Sequence, residues 1–188
     1  HAPKSLRSRE IHVDTHDLLD DPSRVAAMAL ESARAGARVL VIRNTVGGAR
    51  AVFDALEAIA TPEDKAERLF RANGVPALHH GRYAAEDRRV LDQAVETFLG
   101  KVSDAGGCVV VGTQTLEISL DIDSDVLITD LCPMDVLLQR FGRLHRHAGR
   151  RRPHGFETAR ALLLAPSNGI SSYLTPTPGR SSHGFGTV

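Results

Sequence analysis

Short, unbroken apolar runs alternate along this chain with longer stretches whose apolar residues recur every three or four positions. Arg38-Val39-Leu40-Val41-Ile42, led by Gly36, reads as a strand buried on both faces. Gly107-Cys108-Val109-Val110-Val111, Asp125-Val126-Leu127-Ile128-Thr129-Asp130 and Ala161-Leu162-Leu163-Leu164 read the same way. Glu10 to Val13 makes a first strand, and Pro76-Ala77-Leu78-His79 a short one. Between them, Pro22 to Ala35 is alanine-rich and helical. Gly47 to Ile59 follows with Val46, Ala49, Val52, Phe53, Leu56 and Ile59 at helical spacing, and Ala84 to Leu99 places Val90, Leu91, Ala94, Val95, Phe98 and Leu99 on one side. Pro133 suits the first position of a helix carrying Val136, Leu137 and Leu138. Thr61 to Asn73 is charged and reads as a surface insertion. From Pro166 onward Ser, Gly, Pro and Thr dominate, which predicts a linker or mobile tail. Strand–helix alternation with near-continuous apolar strands predicts an α/β domain with a mainly parallel sheet covered on both faces. Ligands of such sheets bind beyond the carboxyl ends of the strands. Asn44-Thr45, His80-Gly81-Arg82 and Gly112-Thr113-Gln114-Thr115 occupy those positions.

Composition narrows the picture without redirecting it. The 188 residues suffice for one domain with a sizeable core, and 42% hydrophobic with 24% charged residues is ordinary for a globular protein. Net charge is zero, so nucleic acid would be held by local basic patches rather than a global field. Asp14, Asp17, Asp20 and Asp21 make the start acidic, and Arg140 to Arg152 forms a basic block. The two cysteines, Cys108 and Cys132, fit no zinc spacing and read as reduced, buried thiols. No apolar run approaches membrane-spanning length and no signal peptide is visible, so a soluble cytoplasmic protein is expected. The start at His1 and the stop at Val188, just after Gly184-Phe185-Gly186, read as those of a piece of a longer protein.

The candidate chemistry lies in two segments. In Gln139-Arg140-Phe141-Gly142-Arg143-Leu144-His145-Arg146-His147, a helical continuation would set Arg143 and Arg146 on one face. Two planar, permanently charged guanidinium groups suit a phosphate gaining negative charge, an arginine-finger arrangement. The plainer reading is a solvated basic loop, since Arg150, Arg151 and Arg152 follow. In Thr113 to Asp123, small polar residues at a strand end could hold a phosphodiester backbone, and Asp121 could accept from a ribose hydroxyl. Alternatively Asp121 and Asp123 are turn and cap residues.

The order of these segments resembles motifs V and VI of superfamily 2 helicases, and more narrowly the CRISPR-associated nuclease–helicase of type I systems. That family's pattern is met at Thr113, Gln114, Glu117, Ser119, Leu120, Asp121 and Asp123, at Thr129 to Pro133, and at Gln139 to His147. Val41 to Thr45 resembles motif IV, and His79 to Tyr83 with Asp87-Arg88 resembles the next motif. The resemblance implies a second RecA-like lobe, a three-layer sandwich, over residues 10–165. Residues 1–9 would link from the preceding lobe and 166–188 toward a C-terminal domain. It implies that Arg143 and Arg146 reach the γ-phosphate of ATP held mainly, with Mg2+, by the first lobe. Gln139, Gly142 and Asp121 would contact the nucleotide. Asn44, Thr45, His80, Arg82, Arg88, Thr113 and Gln114 would line the path of single-stranded DNA.

The family moves 3′ to 5′ and degrades DNA with an HD nuclease domain after recruitment by a crRNA-guided surveillance complex. Here no phosphate loop, no Asp-Glu-x-His box and no nuclease metal pair is found, for His79-His80 is not followed by Asp. No metal ligand is therefore expected in this chain, and alone it should lack ATPase, helicase and nuclease activity. The rival readings are the second lobe of a superfamily 2 RNA helicase and a catalytically silent RecA-like module. Gln139 and the closing His145-Arg146-His147 argue against the first; intact Asp121, Arg143 and Arg146 argue against the second.

Overall fold

The computed structural model describes residues 10–117 and 120–169. The expected linker over 1–9, Ser119, and most of the tail with Gly184-Phe185-Gly186 lie outside the described residues.

The elements run β1 (Ile11–His16), α1 (Pro22–Arg34), β2 (Arg38–Ile42), α2 (Val46–Ile59), α3 (Pro62–Glu67), β3 (Arg71–Ala72), β4 (Val75–Pro76), α4 (Ala85–Leu99), β5 (Cys108–Gly112), β6 (Val126–Asp130), α5 (Met134–Phe141) and β7 (Ala159–Leu164). The main sheet has the order β1-β7-β6-β2-β5, and each paired neighbour is parallel. The α/β layering expected from the alternation, and the RecA-like sandwich that the resemblance implies, are present.

Side chains alternate across the sheet, so each strand feeds two cores. Val39, Val41, Val109, Val111, Val126 and Ile128 join α1 and α2 on one face. Leu40, Ile42, Val110 and Leu127 meet Leu91, Val95 and Leu99 of α4 on the other. Helix α1 starts because Asp21 accepts a hydrogen bond from the Arg24 N–H at 2.9 Å and Pro22 presets the first turn. It stops at Gly36, whose φ of +97° suits a residue without Cβ. Truncating a buried leucine of this layer, such as Leu30, would cost about 2–5 kcal/mol.

Two expectations need correction. Thr61 to Asn73 is no surface insertion: Leu69 and Phe70 are buried, and Leu69 bridges Val109 in parallel along β5. Charges on either side mask these two apolar residues in the sequence. The expected strand Pro76–His79 is absent. Pro76 lacks the N–H a ladder needs; it closes a small β3–β4 hairpin over Asn73-Gly74, and only His79 bridges Gly112.

One crossing positions the candidate site. Strands β5 and β6 are consecutive in sequence, yet β2 lies between them. The 113–125 connection therefore passes over the carboxyl end of β2. It brings Gln114 against Asn44, whose carbonyl accepts from the Gln114 Nε2.

Candidate functional site

At those strand ends lies a buried polar hub. Asp130 ends β6, and its carboxylate accepts from the Arg43 Nε and, at 2.7 Å, from the Asn44 N–H. Burial pushes the Asp130 carboxyl upward, opposed by the Arg43 charge. Arg140, from the last turn of α5, is 0% exposed. Its guanidinium donates to Glu117 Oε1 at 2.7 Å, Thr129 Oγ1 at 2.6 Å and Asn44 Oδ1 at 2.9 Å. The Asn44 Nδ2 in turn donates to the Leu131 carbonyl, and Gln114 Nε2 to the Asn44 carbonyl. The loop after β2, the 113–125 connection, the end of β6 and the arginine segment are thus tied by one cation. A buried arginine needs this many acceptors, because an unpaired buried charge is costly.

The arginine segment is not helical throughout. Helix α5 ends at Phe141, Gly142 caps it, and His145 takes a φ of +45°. A Cβ on Gly142 would lie 3.0 Å from the Gln139 carbonyl oxygen, so the glycine permits the turn. Arg143 and Arg146 therefore do not share a helix face. Both instead address the 117–121 stretch. Arg143 is buried and donates to the Glu117 and Leu120 carbonyls, while its Nε is buried without a partner. Arg146 is exposed, its side chain 42% accessible, and its Nε donates to Asp121 Oδ1 at 2.7 Å. His147 Nε2 meets the same oxygen at 3.0 Å. These contacts, His147 foremost and then Arg146, hold the Asp121 carboxyl below its usual value.

The basic block beyond is no solvated loop. Arg150 and Arg152 pair with Asp123 and Asp125, both fully buried. Asp123 also accepts from the Arg146 N–H at 2.8 Å, so it is a structural anchor. Burial pushes the Asp125 carboxyl up, but Arg150, the Arg38 N–H and Arg152 outweigh it and leave a net lowering.

The other candidates divide by exposure. Gln139, Gln114, Arg82 and Arg88 face solvent. Thr45 is half-buried and its Oγ1 caps α2 through the Gly48 N–H. Thr113 and Asn44 are buried, and both polar ends of the Asn44 side chain are engaged within the lobe. His80 is buried beneath Tyr83. His79 is structural: it joins Thr115 Oγ1 and Asp92 Oδ1, each at 2.7 Å. Burial lowers its pKa against the pull of Asp92. Cys108 is buried and pushed up to about 12 by desolvation, whereas Cys132 is only half-buried, contrary to expectation.

The donor set fits part of a nucleotide. Asp121, Arg146, His147 and Lys101 border an open depression of about 510 Å³. A guanidinium beside a carboxylate there offers a donor for phosphate oxygen and an acceptor for a ribose hydroxyl. No cluster of three His, Cys, Asp or Glu able to hold a metal occurs among the described residues. No helix among them is long and apolar enough to cross a membrane.

The sequence family described as CRISPR-associated nuclease/helicase Cas3, C-terminal, matches residues 35–149. The chain belongs to this Cas3 family. The CRISPR-associated endonuclease/helicase Cas3 of Escherichia coli K12 is 37% identical over 151 residues, covering 80% of this chain and 16% of that protein. The chain thus spans about a sixth of that relative's length. Crystalline T. fusca Cas3 with AMPPNP superposes at a TM-score of 0.70 with 28% identity, over 85% of this chain and 19% of that one. A chain of a CRISPR RNA-guided surveillance complex in a pre-nicking state matches at 0.64 with 25% identity, over 88% and 21%.

Within this Cas3 lobe, Arg140, Arg43, Asp130 and Glu117 are residues that sequence reasoning did not single out as a hub. A charged residue in an amphipathic helix reads as solvated, and Arg140's acceptor Asn44 lies 96 positions away. The one available signal was the arginine immediately after Gln139 in an otherwise apolar turn.

Proposed function

We propose that the chain is the second motor lobe, over residues 10–165, of an ATP-dependent 3′-to-5′ single-stranded DNA translocase and helicase. With an HD nuclease domain it would degrade foreign DNA in CRISPR interference, in the cytoplasm. Membership of the Cas3 family supports the reading. The observation that carries it is the 113–125 segment, whose Gln114 meets Asn44 and whose Asp121 holds an exposed arginine.

ATP would sit between this lobe and the first, with Mg2+ held mainly by the first. ATP supplies the phosphoryl group whose transfer to water drives the cycle. On this side Arg146 moves its guanidinium from Asp121 toward phosphate oxygens, and Asp121 is released toward the ribose. Arg143 holds the Glu117 and Leu120 carbonyls, fixing the loop from which Asp121 projects, with its Nε left to donate. Gln139, exposed one turn before, and Gly142, which permits the turn, border the same side. Arg82, Arg88 and Gln114, with Thr45, His80, Thr113 and Asn44 behind them, form the DNA side. Phosphate contacts there are independent of sequence. A crRNA-guided surveillance complex would recruit the whole protein.

The test is ATP hydrolysis by the full-length protein with and without single-stranded DNA. Wild type should be stimulated, whereas Arg143→Ala and Arg146→Ala should each lose turnover and keep DNA binding. Absence of stimulation in the wild type would overturn the motor reading. The 188-residue chain alone should hydrolyse no ATP above a blank.

A further inference from the structure

Tyr83 lies in the loop before α4, next to Arg82. Its ring stacks on the His80 imidazole, with centroids 4.2 Å apart and planes 4° from parallel. His80 is 8% exposed and Tyr83 38%, so the imidazole is the floor and the phenol the outer layer. An open cavity of about 400 Å³ is lined by Tyr83 and not by His80. Phe53, Leu78 and Val90 wall the cavity, and Arg50, Asp54 and Asp87 stand at its polar edge. Arg82 and Arg88 are exposed on either side of Tyr83 in sequence.

We propose that Tyr83, backed by His80, is a stacking platform for one unpaired nucleobase of the bound single strand. The proposal rests on the reading that this lobe grips single-stranded DNA. A ring already held flat by a buried partner loses little freedom when a third ring joins the stack. Stacking tolerates any base, because each has a π-face, and so suits a motor that must pass every sequence. The cavity fits a base better than a phosphate: its walls are apolar, and Asp54 and Asp87 repel an anion yet accept base N–H groups. Arg82 and Arg88 supply the neighbouring cations for phosphates.

The experiment uses the full-length protein and single-stranded oligonucleotides carrying 2-aminopurine, whose fluorescence is quenched on stacking, with abasic strands alongside. Wild type should quench the probe and bind the abasic strand more weakly than the intact one. Tyr83→Ala should lose roughly 5- to 150-fold in affinity, lose the quenching, and no longer distinguish the two strands. Tyr83→Phe keeps the ring and should behave as wild type. Equal binding of intact and abasic strands by wild type, or equal losses in the Phe and Ala variants, would overturn the platform while leaving the motor reading intact. Failure of wild type to bind either strand would overturn both.

Discussion

Arg140 and Arg146 lie six positions apart in one motif and live in opposite environments. Arg140 has no access to solvent and spends its donors on Glu117, Thr129 and Asn44. Arg146 is exposed and holds a single carboxylate, Asp121. The first contact set cannot be broken without stranding charges in the interior. The second is an exposed pair of the kind worth about 0–1 kcal/mol, so a phosphate can compete for it. The motif therefore divides its labour: one arginine fixes the loops, and another is left free to change partners.

The sharpest separation of the two should come from turnover. Arg146→Ala in the full-length protein should lower DNA-stimulated ATPase by roughly 10³-fold, the scale of an arginine finger, while its unfolding temperature hardly moves. A variant retaining about a tenth or more of wild-type turnover would remove Arg146 from the role. Arg140→Ala should do the reverse. It should cost about 3–5 kcal/mol of stability, read as a drop of roughly 10 °C in thermal unfolding. Arg140→Met paired with Glu117→Gln should recover part of that loss, because the stranded carboxylate is gone. If the double variant is no better than the single one, Arg140 acts by packing rather than charge.

A pH series probes the acidic side of the same comparison. Asp125 and Asp121 both have folded pKa values below those of the unfolded chain. Such groups stabilise the fold above their unfolded pKa of about 4, and the contribution disappears as pH falls through the folded value. Unfolding temperature should begin to decline below about pH 6.5, where the unfolded chain protonates histidines such as His79 whose folded pKa is lowered, and fall more steeply below about pH 4. Asp125→Asn should start lower and fall less, whereas an unchanged acid slope would place the sensitivity elsewhere. The smallest effect belongs to the exposed Arg50–Asp54 pair on α2, at 3.6 Å. Arg50→Ala should change stability by no more than about 0.5 kcal/mol, as measured by urea denaturation.

The two regions also differ in how far they could be read from sequence. Strands such as Arg38–Ile42 and Val126–Asp130 declare themselves because burial on both faces demands continuous apolar residues. The resemblance likewise assigned Asp121 and Arg146 to the nucleotide, and the two side chains are paired. The hub stayed hidden because its members are polar, because the side chains that accept from Arg140 lie 11 to 96 positions from it, and because they meet only when the 113–125 connection passes over β2. Arg143 was misjudged for a related reason. Helical spacing put it on one face with Arg146, but α5 ends at Phe141 and the Arg143 guanidinium is held on backbone carbonyls. Leu69 and Phe70 were lost inside a charged stretch whose edge-strand role has no local signature.

The pairing of Arg150 and Arg152 with Asp123 and Asp125 has a consequence for ionic strength. Binding to a polyanion gains from counterions released as cations neutralise phosphates, and its salt dependence counts those cations. Guanidinium groups already neutralised inside the protein release none. Arg150 and Arg152 should therefore be nearly silent in a salt titration, and the slope should be set by exposed cations such as Arg82, Arg88 and Arg151.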